Sequence, residues 1–277
     1  MTADVEVEII SVGNELLIGK ILNTNAQFLS KRATKLGTKI TRTTTIADNV
    51  NEIANTLLEA LQRKPQFIIT TGGLGPTFDD KTLQGIAKAL NRQLEVNPKA
   101  LDMVKEKYEA YAKRKNVKTA ELTQPRIKMA TIPEKTVPIR NPVGTAPAVR
   151  ADVNDTVIFA LPGVPGEMEA IFEEAIVPLL KQASKGCAFH EKSIYADEIL
   201  ESTLAPLIDT VMQDNPEVYI KSHPRGAENK PNIEIHFSIT AVNNEKSQKR
   251  LQAATNQLSQ LITRNNGKVY TQNQVET

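Results

Sequence analysis

The hydrophobic period of the first 90 residues switches repeatedly between two and 3.6, and this constrains the fold more than any other feature. Val5-Glu6-Val7-Glu8-Ile9-Ile10-Ser11-Val12 alternates and then turns apolar, as a strand does on entering a core. A loop from Gly13 to Gly19 follows, then a helical stretch over residues 25–36 that Gly37 stops. Lys39 to Ile46, rich in Thr and Ile, reads as a second strand. Asp48 is expected to cap a helix over residues 50–62, with Ile53, Leu57, Leu58 and Leu61 on one face. Residues 66–71 form a third, β-branched strand that runs into Gly72-Gly73-Leu74-Gly75-Pro76, and a helix over residues 81–90 comes next.

Such alternation with short connections predicts an α/β fold: a three-layer, mostly parallel sheet covered on both faces. Ligands of such sheets bind beyond the carboxyl ends of the strands. The Gly13 and Gly72 loops both fall there, on one edge. Residues 98–114 read as an amphipathic helix with Leu101, Val104, Tyr108 and Tyr111 on one face, and residues 115–147 as little more than short strands among prolines. Residues 156–161 form another buried strand, which ends in Pro162-Gly163-Val164-Pro165-Gly166-Glu167 and opens a helix through residue 180. The first domain therefore spans 1–180 and a linker 181–188. A small α+β domain over 189–277 follows: strand 192–196, helix 198–212, strands 217–221 and 232–241, helix 245–263 and a last strand near Val269.

Composition narrows the function. With 40% hydrophobic and 24% charged residues the chain is globular. Only 4% is aromatic and Trp is absent, which argues against stacking of single-stranded bases. Residues 181–277, linker and small domain together, carry 11 basic and 11 acidic residues, and the small domain has no Gly-x-x-Gly loop, so no nucleic-acid partner is expected and an interface or lid role is. Between Lys99 and Lys118 lie seven Lys/Arg against three Asp/Glu, a solvated helix face or a phosphate contact. Arg225 or Lys230, in the polar run 222–230, would also reach a phosphate, although an exposed hairpin is the simpler reading. No apolar run is long enough to span a membrane. The acidic N-terminus is unlike a signal peptide, and Cys187 has no second cysteine to pair with. A cytoplasmic protein is expected.

The strongest local signal is Thr70-Thr71-Gly72-Gly73-Leu74-Gly75-Pro76-Thr77-Phe78-Asp79-Asp80-Lys81-Thr82. Glycines let a backbone approach a ligand closely, and the amides of the turn and helix start cradle an anion. Asp79 and Asp80 beside a phosphate call for a divalent cation between them. A glycine-rich turn followed by an Asp helix cap fits the spacing equally well. It is neither a Walker loop nor the dinucleotide fingerprint.

Four motifs in order, Val12-Gly13-Asn14-Glu15-Leu16-Leu17-Ile18-Gly19 with Asn23-Thr24-Asn25-Ala26-Gln27, the Gly72–Asp80 loop, Asn141-Pro142-Val143-Gly144-Thr145-Ala146-Pro147 and Leu161-Pro162-Gly163-Val164-Pro165-Gly166-Glu167-Met168, resemble those of CinA-family proteins. The resemblance implies a molybdopterin-binding-like (MoaB/Mog-type) domain over about residues 5–175 and metal-dependent hydrolysis of ADP-ribose-like pyrophosphates to AMP and a sugar phosphate. Larger CinA proteins add a nicotinamide-mononucleotide deamidase domain, which a chain ending at Thr277 is not expected to hold. On this reading Asp80, Asp79 and Glu167 are catalytic, and Asp80 and Asp79 bind Mg, Mn or Co. Gly13, Asn14, Thr71, Gly72, Gly73, Gly75, Thr82, Gly144, Thr145 and Gly163 bind substrate. Glu15 is a further ligand or a surface glutamate. The three histidines, His190, His223 and His236, lie outside every motif, so a carboxylate or a metal-activated water serves as base. A homo-oligomer, a dimer, is expected. Two alternatives remain: a molybdopterin-binding or adenylyl-transferring protein of molybdenum-cofactor biosynthesis, and a non-catalytic nucleotide-binding module.

Overall fold

The structure is a computed structural model that describes residues 5–115, 121–225, 232–242 and 245–271. It divides into two units, one formed by Thr38–Ala183 with the chain before Lys35, the other by Lys35–Gly37 with the chain from Ser184 onward.

The first unit begins β1 (Glu6–Val12), a short helix α1 (Asn14–Leu17), α2 (Thr24–Lys35), β2 (Lys39–Ile46), α3 (Val50–Arg63), β3 (Phe67–Thr71) and α4 (Thr82–Ala89). It continues β4 (Leu94–Val96), α5 (Pro98–Lys115), α6 (Gln124–Met129), β5 (Thr131–Pro133), β6 (Val137–Ile139), β7 (Ala148–Val153), β8 (Thr156–Leu161), α7 (Pro165–Ile171) and α8 (Val177–Ala183). Six strands make one sheet in the order β2-β1-β3-β8-β7-β6. The pairs among β2, β1, β3 and β8 are parallel, and β7 and β6 add an antiparallel edge. The mostly parallel α/β class expected from the alternating periods is the one found.

Strand side chains alternate between faces. On one face Ile10, Val12, Ile68, Ile158 and Ala160 join Ile53 and Leu57 of α3, Ile86 of α4 and Val104 of α5 in a single core. The alternate positions Val7, Ile9, Ile69 and Phe159 are also buried, so the sheet is covered on both sides. β3 and β8 are near-continuous apolar and β-branched runs for this reason, as central parallel strands are, and β1 becomes apolar from Ile9 on save for Ser11. Glu8 is the exception: it is 3% exposed and takes both oxygens to Arg63 at 2.7 and 2.8 Å.

Four sequence expectations need correction. The cap of α3 is Asn49, whose side chain accepts the Asn51 and Glu52 amides, and Asp48 is left for another role. A helix, α6, forms inside the stretch expected to lack one; six residues are too few for a hydrophobic period to register. The helix after Gly166 is not continuous, because a π-helical turn over Phe172–Ile176 separates α7 from α8. Pro178 lies just beyond it and has no amide with which to continue the ladder. Finally, the linker expected over 181–188 is shorter: the boundary between the units falls after Ala183, but Lys181–Ala183 end α8 and Cys187 starts a strand.

The second unit holds β9 (Cys187–Asp197), α9 (Glu201–Asp214), β10 (Tyr219–Pro224), β11 (Asn232–Val242), α10 (Glu245–Arg264) and β12 (Lys268–Tyr270). Its four strands pair antiparallel in the order β10-β11-β9-β12. Ile194, Ile235 and Phe237 pack with Leu204 and Val211 of α9 and Leu258 and Ile262 of α10 in a core of their own. Arg225 is committed to Glu234, and Lys230 lies outside the described residues. No described helix is long and apolar enough to cross a membrane.

Candidate functional site

β1, β3 and β8 are neighbours and parallel, so the loops that follow them meet on one edge. Between these loops lies a cleft of about 550 Å³. Its floor is built by hydrogen bonds between loops. Gly72 donates its amide to Leu161 O at 3.0 Å, and the Thr71 hydroxyl donates to Pro162 O at 2.9 Å. The Asn25 amide group donates to Thr71 Oγ1 and Gly163 O, both at 2.9 Å, pinning the start of α2 to the same floor.

The glycine loop can take its path only with glycine at two positions. Gly72 has φ +103°, and a Cβ there would stand 2.2 Å from the Val12 carbonyl oxygen. Gly73 has φ +67°, and a Cβ would meet Thr82 Oγ1 at 2.4 Å. The loop thereby folds down against β1 and the start of α4. Thr82 is fully buried, and its hydroxyl donates to Gly72 O at 2.7 Å, so it supports the loop from inside. Among the described residues no acceptor takes the amides of Gly73, Leu74 or Gly75.

Asp79, Asp80, Glu167, Thr71, Gly72, Gly73, Gly75, Thr145 and Gly163 line the cleft, as does Glu15. Gly13, Asn14, Thr82 and Gly144 do not line it, and each has a bonding role nearby. Gly13 donates to Ile46 O at 3.0 Å and Asn14 to Asp48 Oδ2 at 2.8 Å. Gly144 donates to Asn141 Oδ1 at 2.7 Å, and a side chain there would have to displace the Glu167 carboxylate.

Three lining or bracing residues escaped the sequence reading. Asp48 lines the cleft directly after β2, on the ligand edge of the sheet, and that position was the available signal. Asn141 is buried and donates to Glu167 Oε2 at 2.7 Å and to Ala146 O at 2.9 Å, which fixes the Glu167 carboxylate. Asn25, in a motif already noted, ties the loops together.

The electrostatics are one-sided. Glu15, Asp48, Asp79, Asp80 and Glu167 line the cleft, and no Lys, Arg or His is among the lining residues. Burial holds the Asp48 carboxyl above the usual carboxylate range, and the charges of Glu15, Asp79 and Asp80 push it further, against the Asn14 amide, which favours ionisation. Asp79 is held below that range, first by the Thr77 side chain. Asp80 Oδ2 accepts both the amide of Thr77, at 2.8 Å, and its hydroxyl, closing the turn 77–80. Among the described residues no three His, Cys, Asp or Glu side chains converge as a ready-made metal cage.

Residues 8–182 match the family model described as a probable molybdopterin binding domain. A protein of Pyrobaculum arsenaticum is 42% identical over 255 residues, covering 92% of this chain and 93% of the relative. One from Aeropyrum pernix is 46% identical over 234 residues, 84% of each chain. Among solved structures, a protein named CinA, of unknown function, from Thermoplasma acidophilum is 39% identical with a TM-score of 0.58. That match covers 64% of this chain and 98% of the other.

Proposed function

Since the chain belongs to the probable molybdopterin-binding domain family, on its CinA-like side, we propose that its glycine-loop cleft binds nucleotide phosphates together with a divalent cation and hydrolyses pyrophosphates of the ADP-ribose type. The observation that carries this reading is the charge of the cleft. Five carboxylates surround a loop with three unpaired amides, and no basic side chain lines it. Two like unit charges 4 Å apart repel by about 4 kcal/mol at an effective dielectric near 20, so an anion enters such a cleft only in company with a cation. Hard carboxylate oxygens at Asp79 and Asp80 suit magnesium, manganese or cobalt, with phosphate and water oxygens completing the shell.

When bound, the cation offsets phosphate charge and acidifies water. The protein's own residues do the rest. The Gly73, Leu74 and Gly75 amides hold the phosphate oxygens, where charge grows as phosphorus is attacked. Glu167, fixed by Asn141, accepts the proton of the attacking water. The water oxygen bonds to one phosphorus, the bridging P–O bond breaks, and AMP and a sugar phosphate leave.

The test is AMP release from ADP-ribose by purified protein with magnesium, manganese or cobalt, beside Asp80→Ala. Turnover is expected to require metal and to fall by about a hundredfold or more in the variant. Turnover in the presence of chelator, or unchanged in Asp80→Ala, overturns the reading. The family description favours a second reading, a pterin-phosphate binder of molybdenum-cofactor synthesis. Tight molybdopterin binding without ADP-ribose turnover would select it.

A further inference from the structure

Lys128 does not line the main cleft, yet it grips the loop that does. From α6 its Nζ donates to Asp80 O at 2.8 Å, to Gly75 O at 3.3 Å and to Thr77 O at closer range. An ammonium has three donors, and here all three end on main-chain carbonyls of one six-residue turn. Three carbonyl oxygens converging on one point repel each other unless a cation sits among them. The same turn is closed from within by the Asp80 carboxylate on Thr77. The ammonium is also close enough to Asp80 and Asp79 to interact electrostatically with both carboxylates.

We propose that Lys128 is a positioning residue: its ammonium serves as a built-in cation that holds residues 75–80 in the turn which leaves the Gly73, Leu74 and Gly75 amides free for a phosphate. The proposal rests on the reading of this cleft as a phosphate site, and its test has one arm that does not. In Lys128→Ala, and in Lys128→Met should the alanine variant not fold, exchange of the hydrogen-bonded amides of residues 72–80, those of Gly72, Thr77 and Asp80, is expected to accelerate by about tenfold or more. Adding propylammonium, which carries the missing charge into the vacated space of the alanine variant, is expected to restore protection. ADP-ribose binding with magnesium, followed by titration calorimetry, should weaken and recover in parallel.

A purely structural lysine would lower the melting temperature and leave affinity and local exchange at 72–80 unaltered in the folded variant, and that result overturns the proposal. Loss of binding that propylammonium leaves untouched in folded Lys128→Ala also overturns it. If the native protein binds no ADP-ribose while exchange at 72–80 still responds to Lys128, the phosphate reading fails and the loop-holding role alone survives.

Discussion

Asp48 and Glu8 are two acidic residues at opposite ends of the energetic scale. Asp48 titrates above its ordinary value in the folded protein, because burial and three neighbouring carboxylates disfavour its charge. A carboxyl whose folded pKa is raised destabilises the fold once ionised, and that cost vanishes at pH values below the unfolded pKa near 3.9. Asp48→Asn is therefore expected to stabilise metal-free protein at pH 7 by about 0.5 kcal/mol and to bring no gain near pH 3; chemical denaturation at both pH values checks it. Glu8 is buried and satisfied by Arg63, whose own side chain is 35% exposed. Arg63→Met strands a buried charge, and urea unfolding is expected to show a loss of about 2 kcal/mol, less than for a fully buried pair because water reaches the arginine side. Neither role was legible in the sequence. Asp48 looked like a helix cap because Asp and Asn are interchangeable there, and only the structure shows Asn49 taking the cap.

At the scale of elements, much more could be read in advance. β3 and β8 were visible as apolar runs and β1 as an alternating one, and the loops after them were visible as glycine clusters, so the edge that carries the cleft followed from topology alone. What stayed hidden depends on contacts between residues far apart in sequence. Asn141 on Glu167 spans 26 positions, Asn25 on Gly163 spans 138, and Lys128 reaches back about 50 to the glycine loop. Local periodicity carries no signal for such bonds. The glycine loop itself gives the sharpest element-level prediction. Gly72→Ala places a methyl group against the Val12 carbonyl at a positive φ, and the variant is expected to lose about 3 kcal/mol in chemical denaturation. A loss under about 0.5 kcal/mol would mean the loop is not seated on β1 as described.

For the molecule as a whole, each unit has its own buried core, and every residue lining the main cleft belongs to the first. A fragment of residues 1–183 is thus expected to unfold cooperatively and to bind ADP-ribose with magnesium as the whole chain does; calorimetry of both checks it. The cleft's charged lining residues are all acidic, and on the proposed function a phosphate ligand enters it only with a cation. Titration calorimetry of ADP-ribose into the intact protein, once with magnesium or manganese and once with chelator, tests it most directly. Binding with metal that disappears in chelator is the predicted result. Equal affinity in both buffers would mean that the cleft takes the phosphates without a cation.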